Sequence, residues 1–147
     1  MNKRVIVVGL GRFGSALAES LGDHGWEVIA VDAVMDPVDA VKQRVAFAVQ
    51  LDATDPRALR SIDCHTCTTG IIAIGENFEA AVLCVNALRE AGVAHVVARA
   101  RTERQARILT AVGASEVIEI EAEMGRTLGR RLVAGAVSPA TAPTIKR

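Results

Sequence analysis

The residues best placed to do chemistry in this chain are three glycines, one arginine and one aspartate close to its beginning. Val5-Ile6-Val7-Val8 runs straight into Gly9-Leu10-Gly11-Arg12-Phe13-Gly14, and Ser15-Ala16-Leu17-Ala18 continues as a helix. Gly9 permits a tight turn after a strand, Gly11 lets backbone approach a diphosphate, and Gly14 lets the helix pack closely on the strand. The helix N-terminus then presents N–H groups and a positive dipole end to phosphate. Asp32 ends the next strand-like run, 18 residues past Gly14. Its carboxylate can accept both hydroxyls of a ribose, each charge-assisted bond contributing about 1.5–3 kcal/mol. It also repels a 2′-phosphate, which disfavours NADP. Arg12 sits inside the turn, where its guanidinium can neutralise more charge than a dinucleotide's diphosphate carries; the plainer reading is an exposed arginine at a helix start.

A glycine pattern alone is weak, but here it has a strand before it, a helix after it and an acid at the right distance. The remaining sequence supplies the elements that would position it. Strand-like runs occur near Val5–Val8, Glu27–Val31, Ala46–Gln50, Gly70–Ile74, His95–Ala98 and Glu116–Ile118. Helical patterns fall at about 12–24, 37–43, 56–62, 77–91, 102–112 and 121–134. This alternation predicts an α/β fold of the Rossmann type, a doubly wound parallel six-stranded sheet of order 3-2-1-4-5-6 followed by a C-terminal helix. Ligand is expected at the carboxyl ends of the strands, where the order reverses. Asp55-Pro56 fits an N-cap and first helical residue. Gly92 and Gly113 sit where helices should stop. The domain is expected over 1–134, with a Pro-containing linker or disordered tail over 135–147.

Composition narrows the function classes. Seventeen basic and 17 acidic residues cancel, and with three Phe, one Trp and no Tyr there is no stacking platform, so nucleic acid is not expected as a partner. Half of the 147 residues are hydrophobic, yet no apolar run approaches the roughly 20 residues a membrane-spanning helix needs. Direct membrane insertion is not expected. Three cysteines without an even framework suit a reducing cytosol. Cys64-His65-Thr66-Cys67 lacks the four ligands of a closed zinc site and is read as a surface loop.

Four motifs carry a family resemblance: Gly9–Gly14, Leu51-Asp52-Ala53-Thr54-Asp55, Ala73-Ile74-Gly75-Glu76-Asn77 and Glu121-Ala122-Glu123-Met124-Gly125. Together, over about residues 4–134, they resemble the N-terminal domain of regulator-of-conductance-of-potassium (RCK, TrkA-N) proteins, in the branch of the cytosolic subunits of Ktr and Trk potassium-uptake systems. The resemblance implies a cofactor-binding turn at Gly9, Gly11, Arg12, Phe13 and Gly14, with Asp32 on the ribose. It implies Asp52, Ala53 and Thr54 at the adenine, and Gly75, Glu76 and Asn77 flanking the phosphates. Arg99 would be a second cation, Arg12 would reach a terminal phosphate, in part from a neighbouring subunit, and Glu121 would help bind a metal cation, divalent or sodium, near ATP. Three departures stand out: Ala33-Val34-Met35 are apolar, Cys64–Cys67 replaces a more ordinary loop, and the C-terminal RCK domain is expected to be absent.

Two function classes follow. The resemblance implies a non-enzymatic regulatory subunit, cytoplasmic and peripheral to the inner face of the cell membrane. It would bind ATP or ADP, with NAD or NADH as the alternative, and assemble as a dimer or octameric ring. A shift between its geometries would gate a membrane potassium-translocating subunit. The other class, a small NAD-dependent oxidoreductase, needs an acid/base group near the nicotinamide. His24 is read near the end of the first helix, His65 in a loop and His95 at the strand end opposite the ligand, so none of them serves. In the last helix Met124, Leu128 and Leu132, with Val133 beside them, form an apolar stripe expected to pack on another subunit.

Overall fold

The computed structural model describes residues 2–135; all of the expected tail but Gly135 lies outside the described residues. The elements follow in the order β1 (Arg4–Val8), α1 (Arg12–Asp23), β2 (Glu27–Asp32), α2 (Met35–Val41), β3 (Phe47–Gln50), α3 (Pro56–Ser61), β4 (Thr69–Ile72), α4 (Phe78–Glu90), β5 (His95–Ala100), α5 (Glu103–Val112), β6 (Glu116–Glu119) and α6 (Ile120–Val133). A single 3-10 turn at Cys64–Thr66 joins α3 to β4. The strands form one parallel sheet of order β3-β2-β1-β4-β5-β6, as the alternation predicted. β4 stops at Ile72, short of the expected Ile74, so Ala73 and Ile74 already belong to the loop that follows.

The unbroken apolar run of β1 is explained by which face each residue meets. Successive side chains of a strand point to opposite faces. Val5 and Val7 pack with Val28 and Ala30 of β2, Ala18 of α1 and Val38 and Val41 of α2. Ile6 and Val8 pack with Ile29, Val31, Ile72 and Val96, under Leu59 of α3, Val85 and Leu88 of α4 and Leu109 of α5. Both faces are covered, so both sets are apolar. Caps fix where the helices begin: Asp55 accepts from the Arg57 N–H at 2.9 Å, Asn77 from Ala80 at 2.9 Å and Thr102 from Gln105 at 3.1 Å.

Two regions depart from the globular pattern or from expectation. The Cys64–Cys67 segment is not a surface loop. Cys64 and Cys67 are both buried in the larger core cluster, and only His65 between them is exposed. The reason is the 3-10 geometry, which places positions i and i+3 on the same side, here the inner one. α6, by contrast, buries no side chain, and Met124, Leu128, Leu132 and Val133 are all exposed.

The buried thiols give a pH signature. Burial pushes Cys67 up to about 11 and Cys84 up to about 12 from an ordinary value of 9.0. Above pH 9 the unfolded chain therefore loses thiol protons that the native chain still holds, so stability falls as pH rises through that window. Denaturant unfolding followed from about pH 8 upward should show this alkaline decline, and Cys84→Ala should make it shallower. At about pH 8 the native protein should leave all three thiols unreacted with dithionitrobenzoate, and unfolding should release them together.

Candidate functional site

A cleft of about 1180 Å³ runs along the carboxyl ends of the central strands. It lies where the chain, having built outward from β1 through β2 to β3, returns to place β4 on the other side of β1. That is the crevice in which open α/β sheets take ligands.

The glycine turn forms one wall. Gly9 has φ of +94°, a region that favours glycine, and its N–H donates to the Val31 carbonyl at 2.9 Å. α1 then returns so close that a Cβ on Gly14 would lie 1.7 Å from the Gly9 carbonyl oxygen. A Cβ on Gly11 would meet nothing within 4 Å. Gly11 is the N-cap of α1 and brings no capping side chain, so the first N–H groups of the helix have no partner of their own. Asp32, at the end of β2, is tied to this turn. Its Oδ2 accepts from the Leu10 N–H at 2.7 Å and its Oδ1 from the Val34 N–H at 2.9 Å. Each carboxylate oxygen keeps a further lone pair for a ligand hydroxyl.

Beyond Asp32 the cleft reaches Asp52, Ala53 and Thr54 past the end of β3, and its floor extends to Ala80 and Cys84 of α4. Asp52 Oδ1 accepts from the Thr54 N–H at 3.0 Å and from its hydroxyl at 2.6 Å, which closes a compact turn over buried Ala53. Ala33 and Val34 add apolar surface beside Asp32.

The other end of the cleft is cationic. Arg12 opens α1, is exposed, and forms no ion pair among the described residues. Arg99 lies over the Phe13 ring, 5.6 Å from its centroid, and presses on Gly75, where a Cβ would come within 3.1 Å of Nη1. Its Nη1 reaches the Ala73 carbonyl at 3.5 Å and its Nη2 reaches Glu121 at 3.4 Å, both at the long limit of a hydrogen bond. Its Nε is buried with no partner at all. Arg101 stands two residues on, with its backbone N–H held by Gln105 Oε1 at 3.0 Å and its guanidinium 4.0 Å from Glu76.

Of the residues expected from sequence, Gly9, Gly11, Arg12, Phe13, Asp32, Asp52, Ala53, Thr54, Gly75, Glu76, Asn77 and Arg99 all line this cleft. Gly14 instead supports it from behind, buried against Gly9, and Glu121 touches it through Arg99. Asn77 also caps α4 with its side-chain oxygen. Arg101 was missed, although Arg-x-Arg at a strand end places both side chains on one side. No group of three or more His, Cys, Asp or Glu gathers as for a metal ion among the described residues, so a cation beside Glu121 would need ligand oxygens to complete its shell. His24 caps the far end of α1 and His95 opens β5 beside Glu116; neither lines the cleft, and nor does His65.

The TrkA-N domain model matches residues 5–120. The chain is 31% identical over 137 residues to Ktr system potassium uptake protein C of Bacillus subtilis, a match covering 93% of this chain and 62% of that protein. It thus spans about three-fifths of the length of its Ktr relatives. The crystal structure of the TrkA-N domain of inner membrane protein ybaL from Escherichia coli superposes with a TM-score of 0.78 at 25% identity, covering 90% of this chain and 98% of that one. The crystal structure of GsuK bound to ADP superposes with a TM-score of 0.72 at 26% identity, over 89% of this chain and 34% of that one.

The two glycines of the turn should separate in a thermal melt. Gly14→Ala forces backbone apart and should lower stability by about 2 kcal/mol or more, as overpacking does. Gly11→Ala, with open space at its Cβ, should change stability by less than about 1 kcal/mol.

Proposed function

This chain belongs to the TrkA-N domain family, and on that premise we propose that residues 1–134 form the nucleotide-sensing domain of an RCK-type regulator of potassium transport. The observation that carries the reading is the charge at the phosphate end of the cleft. Arg12, Arg99 and Arg101 converge there, beside an uncapped helix N-terminus. A nicotinamide ring would find guanidinium groups where it needs an apolar slot. A chain of phosphates would find donors, among them the exposed Arg12 guanidinium and the first N–H groups of α1.

The ligand is therefore an adenosine polyphosphate, ATP or ADP, in preference to NAD or NADH. Asp32 holds the ribose hydroxyls, Asp52, Ala53 and Thr54 border the base, and the first N–H groups of α1 meet the diphosphate. Gly75, Glu76 and Asn77 flank the phosphates on the opposite wall, and Glu121 assists a cation carried in with ATP. Relatives named as Ktr potassium uptake proteins support a role in potassium transport, and GsuK, recorded both with ADP and with NAD, supports nucleotide binding as such; the choice of a polyphosphate rests on the arginines.

The domain acts by differential binding. Ligands that favour different geometries of an assembled dimer or ring shift their populations, and the shift is passed to a potassium-translocating membrane subunit. No described helix is long and apolar enough to cross a membrane, which suits a cytoplasmic protein held at the inner face through that subunit. The exposed stripe of Met124, Leu128 and Leu132 supports self-association through α6. No histidine lines the cleft to supply acid/base chemistry, which supports a sensor over a dehydrogenase.

Calorimetry tests the assignment directly. ATP and ADP should bind more tightly than NADH, and Arg12→Ala should weaken ATP by about tenfold, the worth of roughly 1.4 kcal/mol, while weakening ADP less. Equal losses for the two nucleotides would remove Arg12 from the terminal phosphate, and tighter binding of NADH would reverse the choice of ligand.

A further inference from the structure

α3, α4 and α5 begin at Asp55, Asn77 and Thr102, and each of these side chains accepts a hydrogen bond from a backbone N–H of the first turn. α2 begins at Val34, whose side chain can accept nothing. Valine is among the poorest N-cap residues, far behind Ser, Thr, Asn and Asp. The backbone at Val34 already has the extended conformation a cap requires, with φ of −108° and ψ of 136°. Only the oxygen is missing.

Val34 is also 58% exposed. A lone exposed apolar residue ordinarily needs no account, but this one lines the cleft and is held there by its neighbours. Its N–H donates to Asp32 Oδ1 at 2.9 Å, and the Ala33 carbonyl before it accepts from Gln50 Nε2 at 3.0 Å. The Leu51 N–H donates to the Asp32 carbonyl at 2.9 Å. These bonds join the ends of β2 and β3, so the side chain stands on a fixed backbone at the end of the cleft that Asp52, Ala53 and Thr54 border. The lining there is otherwise apolar at Leu51, Ala53, Ala80 and Cys84. A purine presents a flat apolar face, and a valine laid against it leaves water on binding. A hydroxyl at position 34 would serve the helix and forgo that contact.

We propose that Val34 is a specificity-determining residue, an apolar lip over the base of the bound nucleotide, for which α2 forgoes its N-cap. This rests on the nucleotide reading above and adds the residue that favours a nucleotide over a base-free sugar phosphate. Stability of the free domain and affinity for the base are thereby opposed at one position.

Val34→Thr separates the two effects. It is close to isosteric, keeps the backbone N–H that holds Asp32, and exchanges one methyl group for a capping hydroxyl. The full chain carrying it should melt about 2–4 °C higher without ligand. By calorimetry it should bind ADP about three- to tenfold more weakly. Ribose 5-phosphate, which has hydroxyls and a phosphate but no base, should bind the variant and the wild type equally. Met35→Gln should leave ADP affinity unchanged, since Met35 is exposed but does not line the cleft. ADP binding that is unaltered or tighter in Val34→Thr overturns the proposal. So does an equal loss for ribose 5-phosphate, which assigns Val34 to the positioning of Asp32. A variant that melts no higher than the wild type overturns the opposition between cap and lip. A wild-type chain that binds neither ADP nor ATP fails the nucleotide reading itself, a distinct result from wild-type binding that the variant leaves unchanged.

Discussion

The backbone of Gly14 rests against the carbonyl oxygen of Gly9, so closely that a single added carbon would sit 1.7 Å from that oxygen. This contact joins the first strand to the first helix, and much of the cleft's geometry follows from it. It brings the N-terminus of α1 to the carboxyl end of β1, where the sheet order reverses. Arg12 and Phe13, the next residues on that helix, are thereby placed at the cleft. Phe13 then becomes a floor for the Arg99 guanidinium, which belongs to a strand two places away in the sheet. The same turn offers the Leu10 N–H to Asp32. One close approach of backbone thus orders groups from β1, α1, β2 and β5.

The covering of both faces of the sheet decides where such a site can be. With the two core clusters filled by apolar side chains, a polar ligand can meet the protein only at a strand end. At the carboxyl end each following helix begins, so α1 and α4 turn their N-termini toward the crevice. The chain as a whole is neutral, with 17 charges of each sign. The positive charge that an anion would meet is therefore local, made by two helix ends and by Arg12, Arg99 and Arg101, of which Arg99 faces Glu121 and Arg101 faces Glu76. Long-range attraction contributes little to capture of an anion here; what matters is how the arginines are distributed once it arrives.

How far the sequence revealed this depended on the range of the interactions involved. The glycine turn and Asp32 were legible from spacing within one β-α-β unit, and the strand order from the alternation of strand-like and helical runs along the chain. The N-cap at Asp55 was legible because Pro56 follows it directly, whereas the cap at Asn77 emerged only with the structure. Cys64 and Cys67 were misplaced because a spacing of three fits several backbone shapes, and only the 3-10 turn sends both inward. Arg101 was overlooked because its importance comes from Arg99 beside it and Glu76 on a different loop. The pairing of Arg99 with Glu121 spans 22 positions and two elements, and no local pattern announces it. The exposure of Met124, Leu128 and Leu132 was anticipated from their four-residue spacing, since a helix after the last strand has no sheet face left to cover.

A site of this kind has limited ways to use the free energy of binding. The titratable side chains that line the cleft are Asp32, Asp52, Glu76 and Cys84 with Arg12, Arg99 and Arg101; none of the three histidines does. The thiol that does line it, Cys84, is pushed up to about 12 by burial, far from a reactive thiolate. The sheet itself is packed on both sides and offers no second arrangement of comparable energy. α6 is held more lightly, by its chain connection at Glu119 and one long ion pair, with no buried side chain. The helix that is least held is also the one that carries the exposed apolar stripe of Met124, Leu128 and Leu132.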